Sequence, residues 1–367
     1  MSQHNFKEDW ESYKKTELAR IDAIVIERGY TLDVEQPHTL GERFLMQAVT
    51  TESGHKLILL GRRLHDNKRV IIKGTSDEAG KAELQHEATC RNMLDRIGFS
   101  YQQFAAPQPI EVIDSAGLLV TIHEYIEQSS PFLERSIEEQ FTFALNAFKA
   151  QESAHATTHR HYTEVAEVFG VKQATDYKTA CATFVAQTRQ SELKEYANHL
   201  KEVCDELSNH QDRIEQYCGF LTHTDFVPHN FRIRDGVMYL LDFSSLRFAN
   251  KHESWARFMN FMALYHPALN DALYTYLKAN RAREEIESLQ LMRLYRLAEI
   301  IHYYIDKYEC STDSLKTLNR ARVDFWIAVL KAQKRHEPVN ENIRLKYQAT
   351  RDSLRSPEEK KRQIGLH

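Results

Sequence analysis

Residues 221 to 245 read LTHTDFVPHNFRIRDGVMYLLDFSS, with His223, Asp225, Asn230 and Asp242 at fixed offsets between apolar residues. Asp235-Gly236 is a two-residue hairpin signal, because a type I′ turn needs positive φ at both central positions. The flanking NFRIR and VMYLLDF are apolar and β-prone, so a hairpin is predicted here. Antiparallel pairing would bring Asn230, just before the first strand, to the same end as Asp242, which closes the second. Asp225 precedes Asn230 by five residues, in a loop able to curl back over that end. Three oxygen-bearing side chains then converge, and an amide with a carboxylate suits a hard cation. A capping Asp and a turn Asn would explain two of these residues without chemistry. They leave the hairpin, with its Asp-Phe at the far end, unexplained.

The elements that must position these groups can be read from periodicity. A first helix is predicted over residues 6 to 28, where Trp10, Tyr13, Leu18, Ile21 and Val25 fall near 3.6 spacing. RFLMQAV, HKLILLGRRL and KRVIIKG read as strands of an antiparallel meander, separated by TTESG and HDN. EAGKAELQHEATCRNMLDRIG reads as a helix with Gly98 as its C-cap. Strands follow at PIEVIDS and GLLVTIHEYI, and beyond residue 127 the chain is helical except for the hairpin. The packed body is expected to end near Pro338, in HEPVNEN. This order implies an α+β protein with a small antiparallel-sheet lobe and a larger, mostly helical lobe.

Composition narrows the function classes. The chain has 367 residues, 42% hydrophobic and 27% charged, ordinary for a globular protein with room for two packed lobes. MSQHNFKEDWESYKK lacks an apolar h-region, and no apolar run approaches the roughly 18 residues of a membrane span. Five scattered cysteines without a CxxC pair argue for a reducing compartment, so a cytoplasmic protein is expected. The net charge is −4. Residues 331 to 367 hold ten Lys or Arg against five Asp or Glu, an excess of five that leaves the remaining body nine negative. An acidic body argues against a nucleic-acid partner. The basic tail reads as a solvated helix with a frayed end.

HTDFVPHN followed by LLDFS resembles the catalytic and metal-binding loops of the aminoglycoside phosphotransferase and choline kinase group, which has the protein-kinase-like fold. Lys73 in RVIIKG is similar to the lysine of that family's third strand, and Glu87 in ELQHEATCRNML to the helix glutamate that pairs with it. LLVTIHEYIEQ resembles the hinge, and His155 in AQESAHATT stands where the first large-lobe helix ends. The likeness spans about residues 43 to 264. It implies a bilobal fold: residues 1–125 as a nucleotide-binding lobe, 126–337 as a helical lobe with the catalytic and metal loops, and 338–367 as a basic tail. It also implies that Lys73 contacts the α- and β-phosphates of ATP, oriented by Glu87, with Glu83 one turn earlier as a rival partner. The backbone from Glu124 to Ile126 would meet adenine. Asp225 would accept the proton of the attacking hydroxyl or orient it, and Asn230 and Asp242 would hold Mg2+. His223 would brace the loop.

Several positions depart from the family pattern. Thr224 and His229 replace glycines, Val227 a frequent histidine, Ser244 a glycine, and Ser254 an aspartate that follows the metal loop. TTESG, in the place of the phosphate loop, holds Gly54 alone. The implied activity is ATP- and Mg2+-dependent phosphotransfer to a hydroxyl of a small molecule. The alternative is a pseudokinase acting as a nucleotide-binding or scaffold module. A protein kinase is disfavoured by the helical stretch over residues 129–220 and the lack of an A-P-E-like segment. His155 and His159 could share a helix face, but no HExxH glutamate accompanies them. Tyr295, His302, Tyr303 and Tyr308 at helical spacing read as core, or as an acceptor pocket with Glu299 and Asp306. The acidic body tilts the acceptor toward a cation. Acceptor identity and oligomeric state cannot be read.

Overall fold

The computed structural model describes residues 3–34, 36, 55–97, 105–155 and 159–355. Helix α1 (Gln3–Glu27) leads into a short strand β1 (Tyr30–Leu32), followed by β2 (Leu57–Arg63) and β3 (Arg69–Thr75). Helix α2 (Glu78–Ile97) precedes the strands β4 (Pro109–Ser115) and β5 (Leu118–Glu124). These strands form one antiparallel sheet in the order β1-β2-β3-β5-β4, so β3 is paired on both sides. Period-2 burial along β3 sends Val70 and Ile72 into the sheet core and leaves Ile71 and Lys73 on the other face. Ile21 and Val25 of α1 close that core. A Cβ on Gly74 would lie 2.6 Å from Ile21 Cδ1, so glycine is what lets α1 lie against β3 beside Lys73.

The rest is helical apart from two small ladders. Helices α3 (Ile137–Ser153), α4 (His159–Phe169), α5 (Ala174–Gln190), α6 (Ala197–Asn209) and α7 (Gln211–Glu215) come first. Strands β6 (Phe220–His223), β7 (Phe231–Arg234), β8 (Val237–Leu240) and β9 (Leu246–Ala249) follow, then α8 (Glu253–Tyr265), α9 (Pro267–Asn280), α10 (Arg283–Glu309), α11 (Asp313–Lys334) and α12 (Glu341–Ser353). β6 pairs with β9 and β7 with β8, both antiparallel. A large core runs through these helices and includes Cys90, Met93 and Ile97 of α2, so α2 packs into the helical half. The architecture is the expected α+β one, a small antiparallel sheet beside a larger helical body.

Three differences stand out. Strand β1 was not expected, because three residues after Gly29 are too few for a periodic signal. The packed body does not end at Pro338: α12 follows, and Tyr347 is buried with its ring stacked on Phe325 at 4.6 Å. Among the expected aromatic stripe, Tyr295 is core, while Tyr303 and Tyr308 are half-buried. The strand expected at RFLMQAV, Gly54 and the Gly98 cap lie outside the described residues. Among the described residues no helix is long and apolar enough to cross a membrane.

Candidate active site

Lys73 stands opposite Ile58 on β2 and Thr121 on β5, in the middle of the sheet. Its Nζ reaches Glu87 Oε2 at 2.6 Å, from the face of α2 turned to the sheet. Glu83, the rival one turn earlier, is taken by Lys56. Burial works against a charge on Glu87, but Lys73 outweighs it and holds the carboxyl at about 2. His123, opposite Ile71, shares this face and bonds Thr121 Oγ1 at 3.1 Å. Burial, reinforced by the Lys73 charge, pushes its imidazole down to about 4, so His123 is neutral near pH 7.

The loop after β6 is fixed at several points. Thr224 donates to the Ser245 carbonyl through both its amide and its hydroxyl, each at 2.9 Å. A single 3-10 turn, Pro228–Asn230, opens on proline, which costs no donor there. Asn230 Nδ2 then donates to the Asp225 carbonyl at 2.9 Å and to Asp225 Oδ2 at 3.1 Å. Asp225 Oδ1 accepts from Arg257 Nε at 3.1 Å and Nη2 at 2.9 Å. His229 Nε2 lies 3.9 Å from Oδ2. The Asp225 side chain keeps 34% of its surface, so it is open to an approaching molecule. Burial raises its proton affinity, yet Arg257, His229 and His223 together hold the carboxyl well below the usual carboxylate range.

The hairpin forms in the register that Asp235-Gly236 demands, with φ of 52° and 73° at the two turn positions. Leu241 N donates to the Asn230 carbonyl at 2.9 Å, which sets Asp242 at the same end as Asn230. Asp242 itself is left-handed, at φ 59°, an unusual conformation for a non-glycine residue. Ser244 and Ser245 donate hydroxyl hydrogens to its two carboxylate oxygens. His223 Nε2 donates to the Leu241 and Asp242 carbonyls at 3.1 and 2.9 Å, so it braces the bend. Helix α2 meets this bend: Arg91 lies 4.9 Å over the Phe243 ring, and Arg247 comes within 3.5 Å of His86 Nε2. Cys90 sits where the charges of Glu87 and Asp242 are both felt, and burial pushes its thiol up to about 12. Asp225, Asn230 and Asp242 thus meet at one hairpin end, and Glu87, which holds Lys73, stands on the helix that packs against the bend after Asp242.

At the hinge, the Glu124 amide donates to the Gln108 carbonyl at 2.9 Å and its carboxylate binds Arg234 at 2.7 Å. The Ile126 side chain is buried. Sequence reading missed Arg257, the one cation in the apolar run WARFMNFMALY, a contrast that could have marked it. It also missed Gln151, which accepts from the His223 amide at 3.0 Å. Ser254, in place of the family's aspartate, accepts from the same amide at 2.9 Å. The tyrosine faces proposed for an acceptor carry the protein's own lysines: Lys172 on Tyr295 at 4.7 Å, Lys307 on Tyr303 at 5.2 Å and Lys316 on Tyr308 at 4.5 Å.

No protein-family model matches the chain, and no curated protein matches it. Solved structures do. Aminoglycoside phosphotransferase APH(4)-Ia aligns with a TM-score of 0.56 at 13% identity, covering 87% of this chain and 98% of that one. A thermostable variant of it, in a ternary complex with AMP-PNP and hygromycin B, aligns at 0.57 and 11% identity, covering 86% and 98%. A further variant, with ADP and hygromycin B, gives 0.56 and 12% over the same shares. The chain therefore has the bilobal protein-kinase-like fold of the aminoglycoside phosphotransferases.

Proposed function

We propose that this protein transfers the γ-phosphoryl group of ATP to a hydroxyl of a small molecule, with Mg2+. The observation that carries the reading is the convergence of Asp225, Asn230 and Asp242 at one hairpin end, against which packs the helix whose Glu87 holds Lys73. Lys73, held by Glu87, would contact the α- and β-phosphates, and the backbone from Glu124 to Ile126 would border adenine. The structures of similar fold that hold AMP-PNP and ADP support a bound nucleotide.

The residues present fit a hard cation. Asn230 spends its Nδ2 on Asp225, which leaves its carbonyl oxygen as a donor to metal, and Asp242 supplies a carboxylate. Two protein oxygens completed by phosphates and waters match the habits of Mg2+. Held there by Asn230 and Asp242, Mg2+ would offset the negative charge that builds up during phosphoryl transfer. Asp225, ionised and open to an approaching molecule, would accept a hydrogen bond from the attacking hydroxyl and receive its proton as the new O–P bond forms. Its low proton affinity makes orientation its larger contribution.

The test is acceptor-dependent ADP release from Mg·ATP over a panel of small hydroxyl compounds, with Asp225→Asn as control. Release should fall by roughly 10²- to 10⁴-fold in the variant. The variant should still be stabilised by Mg·ATP, by about 2.7 kcal/mol at 100 times Kd. Neither release nor stabilisation in the wild type would return the protein to a scaffold role.

A further inference from the structure

We propose that Arg296 is a positioning residue that holds the loop bearing Asp225 from behind, through a buried charge hub centred on Glu253. This inference rests on the phosphotransfer reading. Arg296, on α10, donates from Nη2 to the carbonyl of Thr224 at 2.7 Å, the peptide that leads directly into Asp225. Its Nη1 binds Glu253 Oε1 at 3.2 Å and Glu299 Oε2 at 2.6 Å. The fork therefore spans two neighbouring elements at once, a carbonyl of the loop and a carboxylate of α8, while Glu299 of its own helix steadies it.

Glu253 is fully buried at the start of α8, and three groups hold it. They are Arg296, Lys172 Nζ at 3.2 Å, and the Tyr177 hydroxyl at 2.6 Å. Lys172 itself donates to the Tyr295 hydroxyl at 3.1 Å and lies 4.7 Å from the ring centres of both Tyr177 and Tyr295. Two cations meet two carboxylates, so the hub is balanced, and Lys172 and Arg296 hold the Glu253 carboxyl below its ordinary range against the effect of burial. Burying such a hub costs desolvation that an apolar cluster would avoid, so its presence needs another reason than stability. The reason lies one turn along α8. Arg257 grips the Asp225 carboxylate while Arg296 grips the carbonyl before it. The two arginines fix the same residue from its side chain and from its main chain. A lysine at 296 would keep the charge but not the fork, and could not serve both targets.

The experiment compares Arg296→Lys with wild type in two readouts. Hydrogen exchange over residues 220–231, without nucleotide, should quicken in the variant while exchange over β2 and β3 stays unchanged. The kcat for acceptor phosphorylation should fall about 10²-fold with the ATP KM unchanged, as expected of a misplaced reacting group. Loop exchange equal to wild type, or an unchanged kcat per folded molecule, would overturn the proposal and leave Arg296 a stability residue. If Arg296→Lys does not fold, Lys172→Met carries the same readouts, because it loosens Glu253 and leaves Arg296 in place. A wild type that transfers no phosphate would sink the phosphotransfer reading, and the exchange arm would still decide whether Arg296 orders the loop.

Discussion

Arg257 sets the charge state of Asp225, and that dependence can be measured. With both Arg257 nitrogens on Oδ1, Asp225 stays ionised through the whole range of ordinary assays. The wild-type kcat should therefore show no acid limb from this group. In Arg257→Gln the largest opposing influence, burial, acts with less competition, so the Asp225 pKa rises. An acid limb should then enter the profile of kcat against pH that the wild type lacks, because the carboxylate relieved of its cation takes up its proton at higher pH. An unmoved profile would show that Arg257 does not govern Asp225. Asp225, Asn230 and Asp242 were legible because a short run and one turn signal fix their relation. Arg257 and Arg296 were not, because they reach the loop from helices 32 and 72 residues further along the chain. Such contacts exist only after packing.

Elements differ in how openly the sequence declares them. The β7–β8 hairpin has two adjacent turn residues and alternating flanks, so its existence and register follow from local chemistry. Helix α12 offers no such pattern: Ile343 and Leu345 are exposed at 42% and 48%, and Tyr347 alone anchors its apolar side. One aromatic in a basic segment reads as a solvated end until Phe325 is found beneath it. Tyr347→Ala should accordingly cost about 3 kcal/mol, near the low end for deleting a buried aromatic. Urea unfolding checks this, and a midpoint within 0.5 kcal/mol of wild type, the usual range for surface changes, would show that α12 does not contribute to the packed body.

At the scale of the whole molecule, several buried and half-buried carboxylates are held ionised by neighbouring groups. Glu87 and Glu285 lie at about 2, and Asp225 and Glu253 are also lowered. An unfolded chain binds the glutamate protons near 4.5 and that of Asp225 near 3.8, so it takes up protons before the folded one does. The stability these groups contribute is complete above those values and drains away as pH falls toward 2. Thermal melting should begin to fall below about pH 6.5, where an unfolded chain protonates histidines that burial keeps neutral, such as His123, and drop more steeply below about pH 5, and Glu87→Gln should make that lower drop shallower. An equal drop in the variant would remove Glu87 from the account. Helix α2 adds a mechanical corollary. Its Cys90, Met93 and Ile97 are rooted in the helical half, while Glu87 on the same rod grips a lysine of the sheet. A swing of the sheet away from the helices must either release Lys73 or pull Cys90, Met93 and Ile97 into water, the last two at roughly 1.5–3 kcal/mol each. Wide gaping is thereby opposed, and the Lys73–Glu87 ion pair stands assembled before anything binds.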